Sequence, residues 1–182
     1  LKIGKNAKLN VNGDLGEEVV FRGDRNDSRY DKIPKNWHGI SMDVNSTLTM
    51  NYAKVFGGTV GLEMNQTLAT IENSIFHTHQ EFGILAINSN VTAKNLVMNN
   101  CGEAAFGIFK GGVYNITHST LANYWNFNSA LPGLGLYATN EYNNGTSTEQ
   151  GALTLNIKNS IIYNDNDNAV VFKPTAGQTF NY

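Results

Sequence analysis

His38-Gly39-Ile40, Val60-Gly61-Leu62, Phe82-Gly83-Ile84, Phe106-Gly107-Ile108 and Leu134-Gly135-Leu136 place a glycine before an aliphatic residue five times in one chain. The glycines stand 22, 22, 24 and 28 residues apart. A second series runs in phase with the first: Ala53-Lys54-Val55, Asn73-Ser74-Ile75, Asn95-Leu96-Val97, Ser119-Thr120-Leu121 and Asn159-Ser160-Ile161. Its aliphatic residues are 20, 22, 24 and 40 apart, the last interval holding an insertion. Between the two series, Leu68 to Ile75 and Leu153 to Ile161 alternate apolar and polar residues, which is strand periodicity.

A unit of about 22 residues is too small to bury its own apolar face, and stacking it on its neighbours creates one continuous core. The pattern predicts an all-β fold, a single-stranded right-handed parallel β-helix (solenoid) with about six coils of 20–24 residues and loop insertions. Residues 1–182 form one domain in this reading. Ile40, Leu62, Ile84, Ile108 and Leu136 are expected to form one inward row, and Val55, Ile75, Val97, Leu121 and Ile161 another. Asn73, Asn95 and Asn159 are placed to form an amide ladder at a turn. The recurring glycine implies a bend with unusual φ or with no room for a Cβ. An antiparallel sandwich would give strands every 8–12 residues but no coil-length repeat.

Composition agrees with many turns and stacked strands. The 182 residues include 27 Asn and 18 Gly but only 3 Pro, and charged residues make up 15%. Aliphatic and aromatic residues are too abundant for a disordered chain. A net charge of −2 gives no electrostatic basis for binding nucleic acid. The single cysteine, Cys101, excludes an internal disulfide and reads as a small buried hydrophobe. No apolar run reaches the roughly 20 residues of a transmembrane helix. The chain opens at Leu1, without Met or a visible signal peptide, and reads as a processed or excised piece of a longer chain.

Three segments interrupt the repeat: 23–37, 124–133 and 140–151. Insertions in stacked repeats often carry binding. The third, rich in Gly and Asn, reads as a mobile polar loop.

Val19-Val20-Phe21-Arg22-Gly23-Asp24-Arg25, a short loop, then Trp37-His38-Gly39-Ile40 resembles the first coils of right-handed β-helix repeat proteins of the pectate-lyase-like superfold. Asn99-Asn100-Cys101-Gly102 and His118 to Trp125 fit the same pattern. The resemblance is to Bacteroidetes-type surface lipoproteins of unassigned activity and covers nearly the whole chain. It implies an extracellular or outer-surface location in a bacterium, with coils beyond both ends.

Chemistry is sparse. Polysaccharide-cleaving enzymes of this superfold need paired carboxylates, or carboxylates holding calcium beside a basic residue. Asp43 and Glu63 are the candidate catalytic pair, on neighbouring coils; no Arg follows Arg29. His77-Thr78-His79 offers two imidazoles on one strand face, a candidate metal pair without a nameable third ligand; a turn histidine pair is the preferred reading. Asp165-Asn166-Asp167-Asn168 resembles part of a calcium loop but lacks its Gly and closing Glu, and a polar turn is preferred. Tyr124, Trp125 and Phe127 can stack on sugar rings or fold back over the flank, and packing is preferred. Two rows are expected to face outward: Leu85, Ile87, Phe109 and Tyr137, and Phe56, Phe76, Met98 and Ile162. Strips of this kind are usually covered.

The expected function is a non-catalytic cell-surface domain for adhesion, glycan binding or surface assembly. Its partner would be a polysaccharide or another surface protein, and it would need no cofactor. The competing reading is a carbohydrate-active enzyme, a polysaccharide lyase or glycoside hydrolase, or part of one.

Overall fold

A computed structural model describes residues 1–25, 27–166 and 168–182. The chain runs through three columns of strands, again and again in the same order. The first pass is β1 (Lys2–Ile3), β2 (Lys8–Asn12) and β3 (Val19–Phe21). The second is β4 (Ile40–Met42), β5 (Thr47–Asn51) and β6 (Ala53–Phe56), and the third β7 (Leu62–Asn65), β8 (Leu68–Glu72) and β9 (Ile75–His79). In the fourth, β10 (Phe82–Lys94) spans two columns before β11 (Val97–Cys101); in the fifth, β12 (Ala104–Thr117) does the same before β13 (Thr120–Asn123). The sixth is β14 (Leu134–Thr139), a hairpin of β15 (Glu141–Asn143) and β16 (Thr148–Gln150), then β17 (Leu153–Lys158) and β18 (Ile161–Asn164). A further partial pass holds β19 (Val170–Lys173) and β20 (Phe180–Asn181).

Each strand pairs with its counterpart one pass earlier and later. The first column runs β1-β4-β7-β10-β12-β14-β19 and the third β3-β6-β9-β11-β13-β18. The second runs β2-β5-β8-β10-β12-β17-β20, joined to the first through the two long strands. Every pairing in the columns is parallel; the β15–β16 hairpin and an isolated Asp14–Glu17 bridge are antiparallel. The protein is therefore all-β and built of parallel sheets. Tyr30–Lys32 forms a short 3-10 turn, and no helix among the described residues is long and apolar enough to cross a membrane.

The ladders fix which residues face inward, and they correct the expected rows. Ile40, Leu62, Ile84, Phe106 and Leu136 align in the first column, so Phe106 stands where Ile108 was expected. The glycine of that pass is displaced too. Ala105 lies level with Gly83, while Gly107 pairs with Leu85 and Tyr137. In the third column Val55 pairs with Phe76, Phe76 with Met98, Met98 with Leu121 and Leu121 with Ile162. Phe76 and Met98 are wholly buried, and Ile162 packs against the core, whereas Val97 and Ile161 are exposed. Three members of the row expected to face out thus face in, beside Val55 and Leu121, while Phe56 pairs with His77 on the other face and is buried there. A shift of one residue transfers a strand's entire side-chain set to its other face. In the first column Ile87 is also buried, but Phe109 and Tyr137 remain on the open side.

At the turn between the second and third columns, Tyr52, Asn73, Asn95, His118 and Asn159 all take φ between 47° and 55°. Asparagine tolerates this left-handed region better than most residues. Its amides form the expected ladder: Asn95 Nδ2 donates to Asn73 Oδ1, and Asn73 Nδ2 to Asn51 Oδ1, both at 2.8 Å. Asn159 meets the His118 ring nitrogen at 3.3 Å. The glycine bend holds at Gly39, where φ is +119° and a Cβ would stand 1.7 Å from the Val60 carbonyl oxygen. Cys101 is buried and unpaired as expected, and burial pushes its thiol up to about 12.

The third-column register is tested by paired truncations. Phe76→Ala is expected to cost about 3–5 kcal/mol by urea unfolding, the usual range for an emptied aromatic core site. Ile161→Ala, on the exposed face, is expected to stay within about 0.5 kcal/mol.

Candidate functional site

The open side of the first column turns into an aromatic groove in its later passes. Outward positions there fall on Phe109 of β12 and Tyr137 of β14, joined by Phe82 at the start of β10. Phe109 sits at the centre of the cluster. Its ring lies 5.2 Å from Tyr137 at a tilt of 35°, 5.8 Å from Phe82 edge-on, and 6.2 Å from Tyr142 edge-on. Gly107 forms the floor, because a Cβ there would come within 2.6 Å of the Phe82 ring. The glycine that disturbs the repeat is what lets this ring lie over the strand.

Two adjoining hollows of about 560 and 450 Å³ share Phe109, Tyr137 and Lys173. Both fall in the size range of small-ligand sites. Glu141, Tyr142, Thr175 and Pro174 line the first, and Glu103, Pro132, Leu134 and Val171 help line the second. Lys173 Nζ stands 5.5 Å from the Tyr137 ring centre, within cation–π range. Burial, and then the like charge of Glu81 one pass earlier, raise the Glu103 carboxyl above its ordinary range.

The wall carrying Tyr142 is the segment 140–151, which folds as the β15–β16 hairpin instead of the expected irregular loop. Asn140 holds its base. This buried amide donates to the carbonyls of Gly151 (2.8 Å) and Thr179 (2.9 Å), and accepts from Thr175 N at 3.3 Å. Lys110 forms an ion pair with Glu149, tying the hairpin back to β12. Lys110 and Asn144 hold the Glu149 carboxyl below its usual range.

The candidate residues read from the sequence are dispersed. Asp43 Oδ1 accepts from Val44 N at 2.7 Å, in a turn that closes its own strand. Glu63 pairs across the strands with Ser41 and Leu85, and its carboxylate lies 3.8 Å from His38 Nε2. Neither residue lines the groove.

His77 and His79 do not share a face. Thr78 between them has φ +60°, which breaks the alternation. His77 stays at the surface, stacked on Phe56 at 4.9 Å with Nδ1 against Thr78 Oγ1. His79 is fully buried: Nδ1 accepts from Gly58 N at 3.3 Å, and Nε2 meets the Val55 carbonyl at 3.1 Å. Both His79 ring nitrogens are spent on backbone and the two rings are not brought together as a metal pair; they belong to strand β9 and not to a turn. Burial lowers the His79 pKa to about 3. No three His, Cys, Asp or Glu among the described residues could hold a metal ion together. Asp165 is exposed, and Asp167 lies outside the described residues.

The aromatic insertion divides. Trp125 is buried, with Nε1 donating to Asn128 O at 2.9 Å, whereas Tyr124 and Phe127 are half exposed. Comparison with family models, curated proteins and solved structures returns no match.

His79 gives the protein an acid sensitivity of defined sign. Below the ordinary 6.5 the unfolded chain binds a proton that the folded ring refuses down to about 3. Its contribution to stability is complete above about 6.5 and is lost progressively as pH falls. Urea titrations are expected to show wild type losing about 2–3 kcal/mol more than His79→Gln between about pH 7 and pH 4.5.

Proposed function

We propose that the three columns are the faces of one right-handed parallel β-helix of about six coils, and that its aromatic groove binds a polysaccharide chain without cleaving it. Two facts support the first part. The chain visits the columns in a fixed order, pairing in parallel once per pass. Crossover connections between parallel strands are right-handed in nearly all proteins. The family resemblance supports a location at the outer surface of a bacterial cell, and adhesion is the role that joins these readings.

The observation that carries the glycan reading is the cluster of Phe82, Phe109 and Tyr137, one ring from each of three successive passes, with Tyr142 of the hairpin over two adjoining hollows. Aromatic faces carry a partial negative charge and attract the polarised C–H groups of a sugar ring. Glu103, Glu141, Thr139, Asn143 and Lys173 supply donors and acceptors for hydroxyl groups at the rim.

The enzyme reading keeps one specific support, the Glu103 carboxyl, whose raised pKa is the property of a general acid. The pair Asp43 and Glu63 lends it none, being engaged elsewhere.

A glycan array followed by calorimetry tests the proposal. Tyr137→Ala and Phe109→Ala are each expected to weaken binding of the best oligosaccharide about tenfold or more, about 1.4 kcal/mol, with the melting temperature little changed at Tyr137. An array without hits, or equal affinity in both variants, overturns it. Reducing-end release that stops in Glu103→Gln would establish the enzyme reading instead.

A further inference from the structure

We propose that the protein carries a second carbohydrate site, on the third column between the first two insertions, and so cross-links polysaccharide chains. The inference rests on the glycan reading of the groove but uses none of its residues.

A hollow of about 500 Å³ lies between Asp31 and Lys32 of the first insertion and Tyr124, Asn126 and Phe127 of the second. His77 and Thr78 of β9 and Asn100 of β11, towards the ends of two third-column strands, line the remainder. Segments remote in sequence therefore converge here, as they do in the groove. The second insertion is anchored by buried Trp125, whose ring packs 5.1 Å from Phe127. With that anchor in place, Tyr124 and Phe127 are held outward at 50% and 49% exposure. Two large rings held out by a buried neighbour suit stacking against a flat apolar face. Tyr124 is steadied from its other side by Tyr163 at 5.5 Å.

The polar lining selects an uncharged ligand. Asp31 is already paired with Arg22 at 3.1 Å. Burial depresses the His77 pKa, with Asp31 opposing it, so the ring is neutral at neutral pH. Hydrogen-bonding capacity comes from the amides of Asn100 and Asn126, which have no side-chain hydrogen bond to protein among the described residues. Rings with one apolar face and neutral amides beside them fit a neutral pyranose, which has a C–H face and hydroxyl edges. A charged uronate or sulfated sugar would meet no free cation here except Lys32.

The groove opens on the first column and this hollow on the third. One glycan segment cannot occupy both in the same way, so two chains can be held by one molecule. Two such sites joined by a rigid body raise avidity for a multivalent surface.

The test uses the full chain with neutral hexasaccharides of the cello-, xylo-, laminari- and manno- series. Calorimetry is expected to give two sites per chain, falling to one in the double variant Tyr124→Ala/Phe127→Ala, while in Tyr137→Ala one of the two sites weakens about tenfold or more and the other is unchanged. Soluble galactomannan or xyloglucan is expected to become turbid with wild type and to stay clear with either variant. Both substituted rings in the double variant are exposed, and an unchanged melting temperature confirms that it folds. A single site, weakened in Tyr137→Ala and unchanged in the double variant, overturns the second site and leaves the groove reading intact. No binding of any probe by wild type overturns both.

Discussion

The architecture depends on satisfying the backbone amides buried at each turn. After the left-handed residue at each third-column entry comes a position whose side chain is enclosed by the passes above and below it. Where that residue is serine, its hydroxyl accepts the amide of the preceding pass. Ala53 N donates to Ser74 Oγ, Leu96 N to Ser119 Oγ and Ser119 N to Ser160 Oγ, each at 3.1 Å. The same hydroxyls donate to carbonyls two residues back, at Glu72, Thr117 and Lys158. A buried amide without a partner costs about 1–3 kcal/mol, so each serine removes a penalty incurred by its neighbour. Stacking is therefore cooperative: a turn is fully satisfied only when the next pass is present.

The turn between the first two columns meets the same demand by a different route. Ser46 Oγ contacts Thr67 Oγ1 at 3.1 Å, and Thr67 N donates to Ser89 Oγ at 3.0 Å. One pass later the aligned residue is Gly112, which has no hydroxyl. Tyr114 supplies it from inside the core, accepting from Ser89 N at 3.2 Å and donating to Gly111 O at 2.9 Å. A Cβ at Gly112 would stand 3.0 Å from that phenol oxygen. The glycine pair and the tyrosine are thus one device, and burial keeps the phenol protonated by raising its pKa. At the last turn of each pass, His79 and Asn123 take the serine's role toward Gly58 N and Cys101 N. That need for a neutral acceptor explains why a histidine is held uncharged in the core.

The period was legible because it is imposed on every pass, whereas phase was legible only where apolar and polar residues alternate. Ile75-Phe76 and Val97-Met98 offer two apolar residues side by side, and nothing local decides which faces in. The first of these turns also hides its register: Tyr52-Ala53 stands where two later passes have Asn73-Ser74 and Asn159-Ser160, so counting from Val55 slips by one. Gly107 misled in the same way, since the residue at the bend in that pass is Ala105. Among the site residues, Phe109 and Tyr137 were read correctly as outward apolar groups. Their partner Tyr142 was hidden, because a hairpin of Gly, Asn and Thr looks like a mobile loop until Asn140 and the Lys110–Glu149 pair fix it. Trp125 and Tyr124 are adjacent, and only the carbonyl of Asn128 decides which of them is buried.

The groove and the second hollow both lie where the repeat is broken. The regular passes, β4 to β9, bury their best apolar residues and leave mostly polar and charged groups such as Thr49, Thr70, Lys54, Glu63 and Glu72 outside. The displaced glycine, the long strand β12 and the hairpin all belong to the fifth and sixth passes, and each contributes to the groove. The same separation governs the third column, where the two insertions meet over the bends at Thr78 and Asn100, near the ends of β9 and β11. A repeat that must stack at every turn leaves little freedom within the pass, so variation collects outside it. The insertions then inherit a rigid base at no added cost in ordering, because the turns beneath them are already fixed by their neighbours. Rings such as Tyr137 and Tyr142 are consequently held in place before any ligand arrives, which is the condition under which a few aromatic contacts yield useful affinity.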